Sequence, residues 1–373
     1  MSRLPVTATG ENTSLADRKR RAGQRLILGI PGPGLDDPTR ALIRQLRPAG
    51  FILFKRNVEE PAQVRELNRE LAALLPDTLP ALLSVDQEGG RVMRVRDGAS
   101  RFPPLRWLGN VGDLALTRRY AAAMCDEVAA LGFNLNWAPV ADVDSNPANP
   151  VIGDRSFGRD PDRVAAQVVA WLRAAEARGI ISCVKHFPGH GDTDQDSHHT
   201  LPKVEKELPD LERCELRPFR AAVAAGVPGV MSAHVVFPAI DEDRPATLSR
   251  PILRGWLREG LGFEGLVVSD DMEMKAVKDR WPLDQVLEEA CGAGVDLFLV
   301  CSEQDRQAAF YEELVRLQER DAAQDTWSED SERRLKATRE RYFLRRAPPP
   351  PLSVLDSMEH RLIVETVRER GAE

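Results

Sequence analysis

The chain has 373 residues, 42% of them hydrophobic, and a formal charge of −7 with a pI of about 5.6. That is enough apolar material for a sizeable core, in one large domain or two small ones, and the acidic balance argues against nucleic acid or an anionic membrane as a partner. No run approaches the roughly 18 apolar residues of a membrane span, and the opening "MSRLPVTATGENTSLADRKRR" shows no apolar h-region, so a cytoplasmic location is expected.

Residues 1–24 read as an N-terminal extension. Their basic run "RKRRAGQR" (Arg18 to Arg25) is expected to be a solvated approach to the first strand, because no further basic cluster supports a nucleic-acid tail. Eight short apolar runs follow as candidate strands: "LILGI" (26–30), "FILF" (51–54), "ALLSVD" (81–86), "FNLNWAPVADV" (133–143), "ISCVKHF" (181–187), "VMSAHVVF" (230–237), "LVVSDD" (266–271) and "LFLVC" (297–301). Between them lie stretches such as "PAQVRELNRELAALL" and "PDRVAAQVVAWLRAAEARG", whose apolar residues recur at helical spacing. Gly132, Gly179 and Gly226 stand where helix C-caps are expected. The five cysteines (Cys125, Cys183, Cys214, Cys291, Cys301) include no CxxC, and most read as small buried hydrophobes of a reduced compartment. After the eighth strand, "RQAAFYEELVRLQER" predicts a closing helix. A charged helix, a stiff spacer at Pro348 to Pro351 and a last amphipathic helix then make up a C-terminal extension over 321–373.

Strands alternating with helices predict a single α/β domain over 25–320, a (β/α)8 TIM-type barrel. The competing doubly wound sheet lacks its phosphate-binding turn, since "GIPGPG" puts prolines where free N–H groups are needed. The polar residues decide for the barrel. Asp86, Lys185, His186, His234, Asp270 and Asp271 all fall at the C-terminal ends of strands, the active-site face of that fold.

The stretch "KHFPGHGDTDQDSHHT" (185–200) holds four of the six histidines. As a metal site it would use His186, His190 and His198, but Pro188 and Gly189 rule out the helical spacing that zinc ligands favour. As a plain solvated loop it would leave the histidine density unexplained. As an acid/base device, Asp196 and His198 stand two residues apart, so a carboxylate can fix the tautomer of an imidazole and raise its pKa.

With "DQEGGRVMR" upstream, "NPVIGDRSFG" (149–158) between, and "KHFPGHG", "DSH" and "SDDM" following in order, the sequence resembles glycoside hydrolase family 3 across roughly residues 25 to 305. Within that family it is similar to the single-domain β-N-acetylglucosaminidase branch. The resemblance implies a retaining exo-glycosidase that releases terminal N-acetylglucosamine, without metal or other cofactor, with cell-wall fragments (muropeptides) as the expected partner. Matched residue by residue, Asp270 of "SDDM" is the implied nucleophile, His198 the general acid/base and Asp196 its partner. Asp86, Arg94, Arg155, Lys185 and His186 form the implied sugar-binding set. The tail after 320 has no counterpart in the pattern.

The residues agree with that chemistry. A retaining glycosidase needs a carboxylate nucleophile and a proton donor about 5 Å apart. Asp270 follows "LVVS" and should project from a rigid strand end, whereas Asp271 should point the opposite way if the strand continues. His190 is expected to bond within its own loop, His234 to orient Asp270 or line the pocket, and His360 to be solvated; His199 has no assigned role. A histidine donor, unlike a carboxylate, does not repel an incoming anion, so phosphate is the alternative acceptor to water. A catalytically silent sugar-binding barrel would require loss of the nucleophile or dyad, and both are present.

Overall fold

The computed structural model describes residues 13–193, 201–320, 322–344 and 348–372, with the side chains of 322–324 excepted. Eight parallel strands close a barrel: β1 Leu26–Gly29, β2 Gly50–Leu53, β3 Leu82–Val85, β4 Leu135–Asn136, β5 Ile181–Phe187, β6 Gly229–Ser232, β7 Leu266–Asp271 and β8 Leu297–Val300, with β8 paired back onto β1. The expected (β/α)8 architecture is therefore present. Helices such as Pro61–Ala73, Leu114–Ala130 and Pro161–Ala177 wrap it, two of them opened by proline and the last capped by Asp160.

Two expected strands are shorter than their apolar runs. Of 133–143 only Leu135–Asn136 forms a continuous strand, and beyond Pro139, which has no N–H to give, Val140 makes one further bridge to Lys185. Side-chain amides take over ladder bonds there: Asn134 accepts from the Leu83 N–H at 2.9 Å and Asn136 from the Gln87 N–H at 3.0 Å. The run 230–237 splits into β6 and a second strand, Val236–Phe237, that pairs with Asp241–Pro245.

The period of two along each strand divides the core into lumen and outer layer. On β7, Leu266 and Val268 fill the lumen while Val267 packs outward; on β5, Ile181 and Cys183 fill it while Val184 packs outward. By the same period Lys185 and Asp270 continue inward at the top. Each strand then gains a residue on its neighbour. β7 takes three steps, Val268 to Asp271, where β8 takes two, Leu297 to Leu299; β5 takes three, Val184 to Phe187, where β6 takes two, Val230 to Ser232. Such bulges re-aim side chains. As a result, consecutive residues, Lys185 with His186 and Asp270 with Asp271, face one cavity.

The lower end of the barrel is plugged by the helix Ala322–Phe343, whose Leu335 and Tyr342 join the lumen core. Arg339 enters with them, donating to the carbonyls of Pro80 and Ala49 and to Gln24 Oε1. Asp296, 1% exposed, ties this helix to the barrel. It accepts from Ser331 Oγ at 2.8 Å, Arg334 at 2.9 Å, Arg258 at 2.7 Å and the Val267 N–H at 2.8 Å.

Two expectations about the surface are corrected, and the reading of most cysteines as buried holds. The run Arg18 to Arg25 is not a solvated approach: it lies largely in the helix Leu15–Gly23, Arg20 and Arg21 pair with Asp325, Glu329 and Glu332 of the plug helix, and Arg25 is buried. His360 is not solvated either. The helix Met358–Gly371 packs on Leu114–Ala130, and the buried Glu127 meets His360 Nδ1 at 2.8 Å. Among the cysteines, Cys214 is only half-buried while the other four are buried. No helix of the described residues is long and apolar enough to cross a membrane.

Removing the Asp296 carboxylate should leave the part-buried Arg258 without its anion, and Arg334 with only Asp330 at 3.9 Å. Asp296→Ala is expected to lower the unfolding free energy by about 3–5 kcal/mol, read as a reduced urea midpoint with an unchanged m-value.

Candidate active site

A cavity of about 300 Å³ opens at the C-terminal ends of the strands. Its wall is built from groups that are costly to bury and are therefore paired. Lys185 Nζ, on β5, lies 2.8 Å from Asp86 Oδ1 and 2.6 Å from Glu88 Oε1. Arg94 reaches the other Asp86 oxygen at 3.0 Å, and Arg155 grips Glu88 with two bonds of 2.9 Å. Glu88 and Arg94 are presented by a hairpin, Gln87–Gly89 with Val92–Met93. Its turn requires Gly89 at φ 103°, where a Cβ would meet Tyr120 Oη at 2.3 Å.

Burial alone would raise the carboxyl of Asp86, but Lys185 and Arg94 outweigh it and hold the group well below the ordinary carboxylate range. Glu88 is likewise held low against burial by Arg155 and Lys185. Lys185 stays charged: burial opposes this, and its two carboxylates prevail.

Across the cavity, Asp270 ends β7. Burial raises its carboxyl, yet the nearby His186 and His234, the Asp271 N–H at 2.8 Å and Lys185 bring it below the usual value. Its neighbour behaves oppositely. The Asp271 carboxyl is pushed up to about 6, by burial first and then by the charges of Glu273 and Asp270, which outweigh the bond it accepts from the Glu273 N–H. Two adjacent carboxyls thus titrate in different ranges, Asp270 below the usual carboxylate value and Asp271 at about 6. The expectation that Asp271 points away from the pocket does not hold, and the bulge in β7 is the reason.

The structure brings together Asp86, Arg94, Arg155, Lys185, His186 and Asp270 around this cavity, and adds His190. Asp196, His198 and His199 lie outside the described residues. His190 bonds within its loop, as expected, through Thr193 Oγ1 at 2.9 Å, and burial followed by the neighbouring His186 lowers its pKa to about 4. His234 bonds Thr247 Oγ1 at 2.8 Å and the Asp271 carbonyl at 3.1 Å, so it braces the end of β7. Arg155 was expected to offer its fork to a sugar; in this structure the fork is taken by Glu88.

The match to known proteins runs through the same elements. Residues 27–336 fit the model of the glycosyl hydrolase family 3 N terminal domain. A β-hexosaminidase from Pseudomonas aeruginosa (strain LESB58) is 40% identical over 285 residues, spanning 76% of this chain and 83% of that relative. This chain belongs to glycosyl hydrolase family 3. Among solved structures, the family 3 β-N-acetylglucosaminidase of Paenibacillus sp. str. FPU-7 superposes with a TM-score of 0.90 at 39% identity, over 95% of this chain and 68% of that one. NagZ from Neisseria gonorrhoeae, solved with N-trifluoroacetyl-D-glucosamine, gives a TM-score of 0.74 at 28% identity, over 93% and 98% of the two chains.

Within this family 3 barrel, two site residues went unnamed in the sequence. Glu88 stands inside "DQEGG" and Asp142 inside "PVADV". The signal for Glu88 was present: a lysine at a strand end needs carboxylates, and Glu88 is two residues beyond Asp86. Asp142 follows the irregular stretch after β4, and its contact with His186 is visible only in three dimensions. His186 and His190, proposed members of a metal triad, have their Nδ1 atoms bonded to Asp142 and Thr193. Among the described residues no group of three or more metal-ligating side chains is placed to hold an ion.

The raised carboxyl of Asp271 makes a signed prediction. A folded-state value of about 6 against a model value of 3.8 means that this residue favours the native state at low pH, and that the advantage is lost as pH rises between those values. Asp271→Asn should therefore stabilise the protein at pH 7, by on the order of 1–3 kcal/mol, and have little effect at pH 4. Thermal unfolding at the two pH values checks it.

Proposed function

We propose that this family 3 hydrolase is a retaining, exo-acting β-N-acetylglucosaminidase. Asp270 attacks the anomeric carbon to form a covalent glycosyl-enzyme, and His198, oriented by Asp196, protonates the departing oxygen and then deprotonates the incoming water. The observation that carries this reading is Asp270 itself, a carboxyl on a rigid strand end, held ionised inside a cavity otherwise lined by paired charges. The names of its relatives, β-hexosaminidase and β-N-acetylglucosaminidase, support the substrate class.

The cavity has the make-up such a sugar needs. Asp86, Arg94, Lys185 and His186 offer donors and acceptors to ring hydroxyls. Ile52, Met231, Met274 and Leu299 line the same space, apolar surface suited to an acetamido methyl. On the same reading the enzyme works in the cytoplasm without a cofactor. Its natural substrates are cell-wall fragments in which N-acetylglucosamine is linked to an anhydro-muramoyl sugar.

Two experiments test this. With nitrophenyl glycosides, the acetamido sugar should be turned over in clear preference to the plain glucoside, and digestion of cell-wall fragments should give free N-acetylglucosamine whether or not phosphate is added. A sugar 1-phosphate would instead identify a phosphorylase. The second experiment separates the residues. Asp270→Ala should lose nearly all turnover whatever the leaving group. His198→Ala should be damaging with poor leaving groups, while an activated aryl glycoside still forms the intermediate and lets it accumulate. Equal loss on all leaving groups with no trapped intermediate would remove His198 from the acid/base role.

A further inference from the structure

Behind the cavity wall, Asp142 is fully buried and surrounded by one short segment of chain. Its carboxylate accepts from the His186 N–H at 3.1 and 3.2 Å and from the His190 N–H at 2.7 Å, and lies 2.7 Å from His186 Nδ1. We propose that Asp142 is a positioning residue for the glycosidase reaction, holding His186 in a single tautomer and ring orientation with Nε2 turned toward the sugar and Asp270. This deepens the function proposed above and rests on the reading of Asp270 as nucleophile.

The tautomer follows from charge. Burial would raise the Asp142 carboxyl, but His186 first, and then His190, bring it below the ordinary value. An ionised carboxylate only accepts. The hydrogen in the 2.7 Å contact therefore sits on His186 Nδ1, and Nε2 is left on the opposite edge of the ring. That edge belongs to the cavity, which His186 lines together with Asp270 and Lys185. The imidazole ring of His190, 5.6 Å away and at 72° to it, closes off a third side and limits rotation.

A carboxylate that only stitched the turn together would need its two backbone bonds and nothing more. The bond to Nδ1 does something else: it fixes the ring that lines the cavity beside Asp270. The groups facing Asp270 are His186 and Lys185 from β5, His234 from the turn after β6, and the N–H and carboxyl of Asp271 on its own strand. Asp142 touches only the first of these.

The test is made on the full-length protein labelled with ¹⁵N-histidine. The chain has six histidines, and His186→Gln assigns the ring signals by difference. In the wild type, Nδ1 of His186 should be protonated throughout pH 6 to 8; an unprotonated Nδ1 overturns the proposal without any need for a variant at 142. In Asp142→Asn that fixed proton should be lost. The kcat/KM for aryl β-N-acetylglucosaminides should fall about 10- to 100-fold, the scale typical of residues that orient a functional histidine. The fall should be equal for good and poor leaving groups, because His186 is not the proton donor. A folded Asp142→Asn protein with unchanged tautomer and full activity overturns the proposal. Should that variant not fold, the wild-type spectrum still decides. Turnover surviving in Asp270→Ala would refute the nucleophile reading by itself, and the His186 spectrum would be unaffected by that result.

Discussion

Everything at the upper end of this barrel depends on one ammonium group. Lys185 Nζ sits 3% exposed between Asp86 and Glu88, at 2.8 and 2.6 Å. A lone lysine so placed would give up its proton, and two lone carboxylates so close together would take one up. Together they stay charged, and each carboxylate can hold an arginine as well. The consequence is geometric. β3, the hairpin after it, the Gly153–Arg155 turn and β5 are fastened to each other through side chains, so the cavity wall is set by ion pairs and does not await a ligand.

The second constraint is the pair of bulges in β5 and β7. A regular strand offers its pocket every second residue, so eight strands give a sparse ring of contacts. By inserting one residue against a neighbour, each of these strands places two consecutive side chains in the cavity, Lys185 with His186 and Asp270 with Asp271. Adjacent residues are thereby given different work. Asp270 lies beside imidazoles and is held ionised, whereas Asp271 lies beside Glu273 and Cys301 and keeps its proton to about pH 6.

How much of this the sequence discloses follows from the range of the interactions. The eight strands, the plug helix and the last amphipathic helix are local patterns of apolar spacing, and they are legible because period and polarity are properties of neighbours. The strand-end positions of Asp86, Lys185, His186 and Asp270 are legible for the same reason. The bulges are not, because an extra residue on one strand has meaning only against its partner. Nor is the burial of His360, which depends on Glu127 more than two hundred residues away. Nor is the pairing of Arg20 and Arg21 with the helix that closes the barrel from below. Asp142 is not legible either, because an acid in an irregular stretch after a two-residue strand has no periodic signal. Charge compensation is the one long-range rule that reaches across the chain: a lysine at a buried strand end calls for a carboxylate, and Glu88 supplies one.

The electrostatic balance of the cavity bears on both halves of a double-displacement reaction. Lys185, Arg94 and Arg155 supply three positive charges against the two of Asp86 and Glu88, and below about pH 6, where Asp271 holds its proton, Asp270 is the anion that restores neutrality. On the proposed mechanism, attack by Asp270 converts that anion to a neutral ester and leaves the cationic surplus exposed to the bound sugar. A surplus of this kind makes the carboxylate a weaker nucleophile than a free one. It also makes the same carboxylate a better leaving group when water arrives, since the charge it recovers is already compensated. The environment that depresses Asp270 therefore raises the first barrier slightly and lowers the second. Which step limits turnover then depends on how much the departing oxygen is helped, and that help must come from outside the rigid wall, from a group that does not share its charge network.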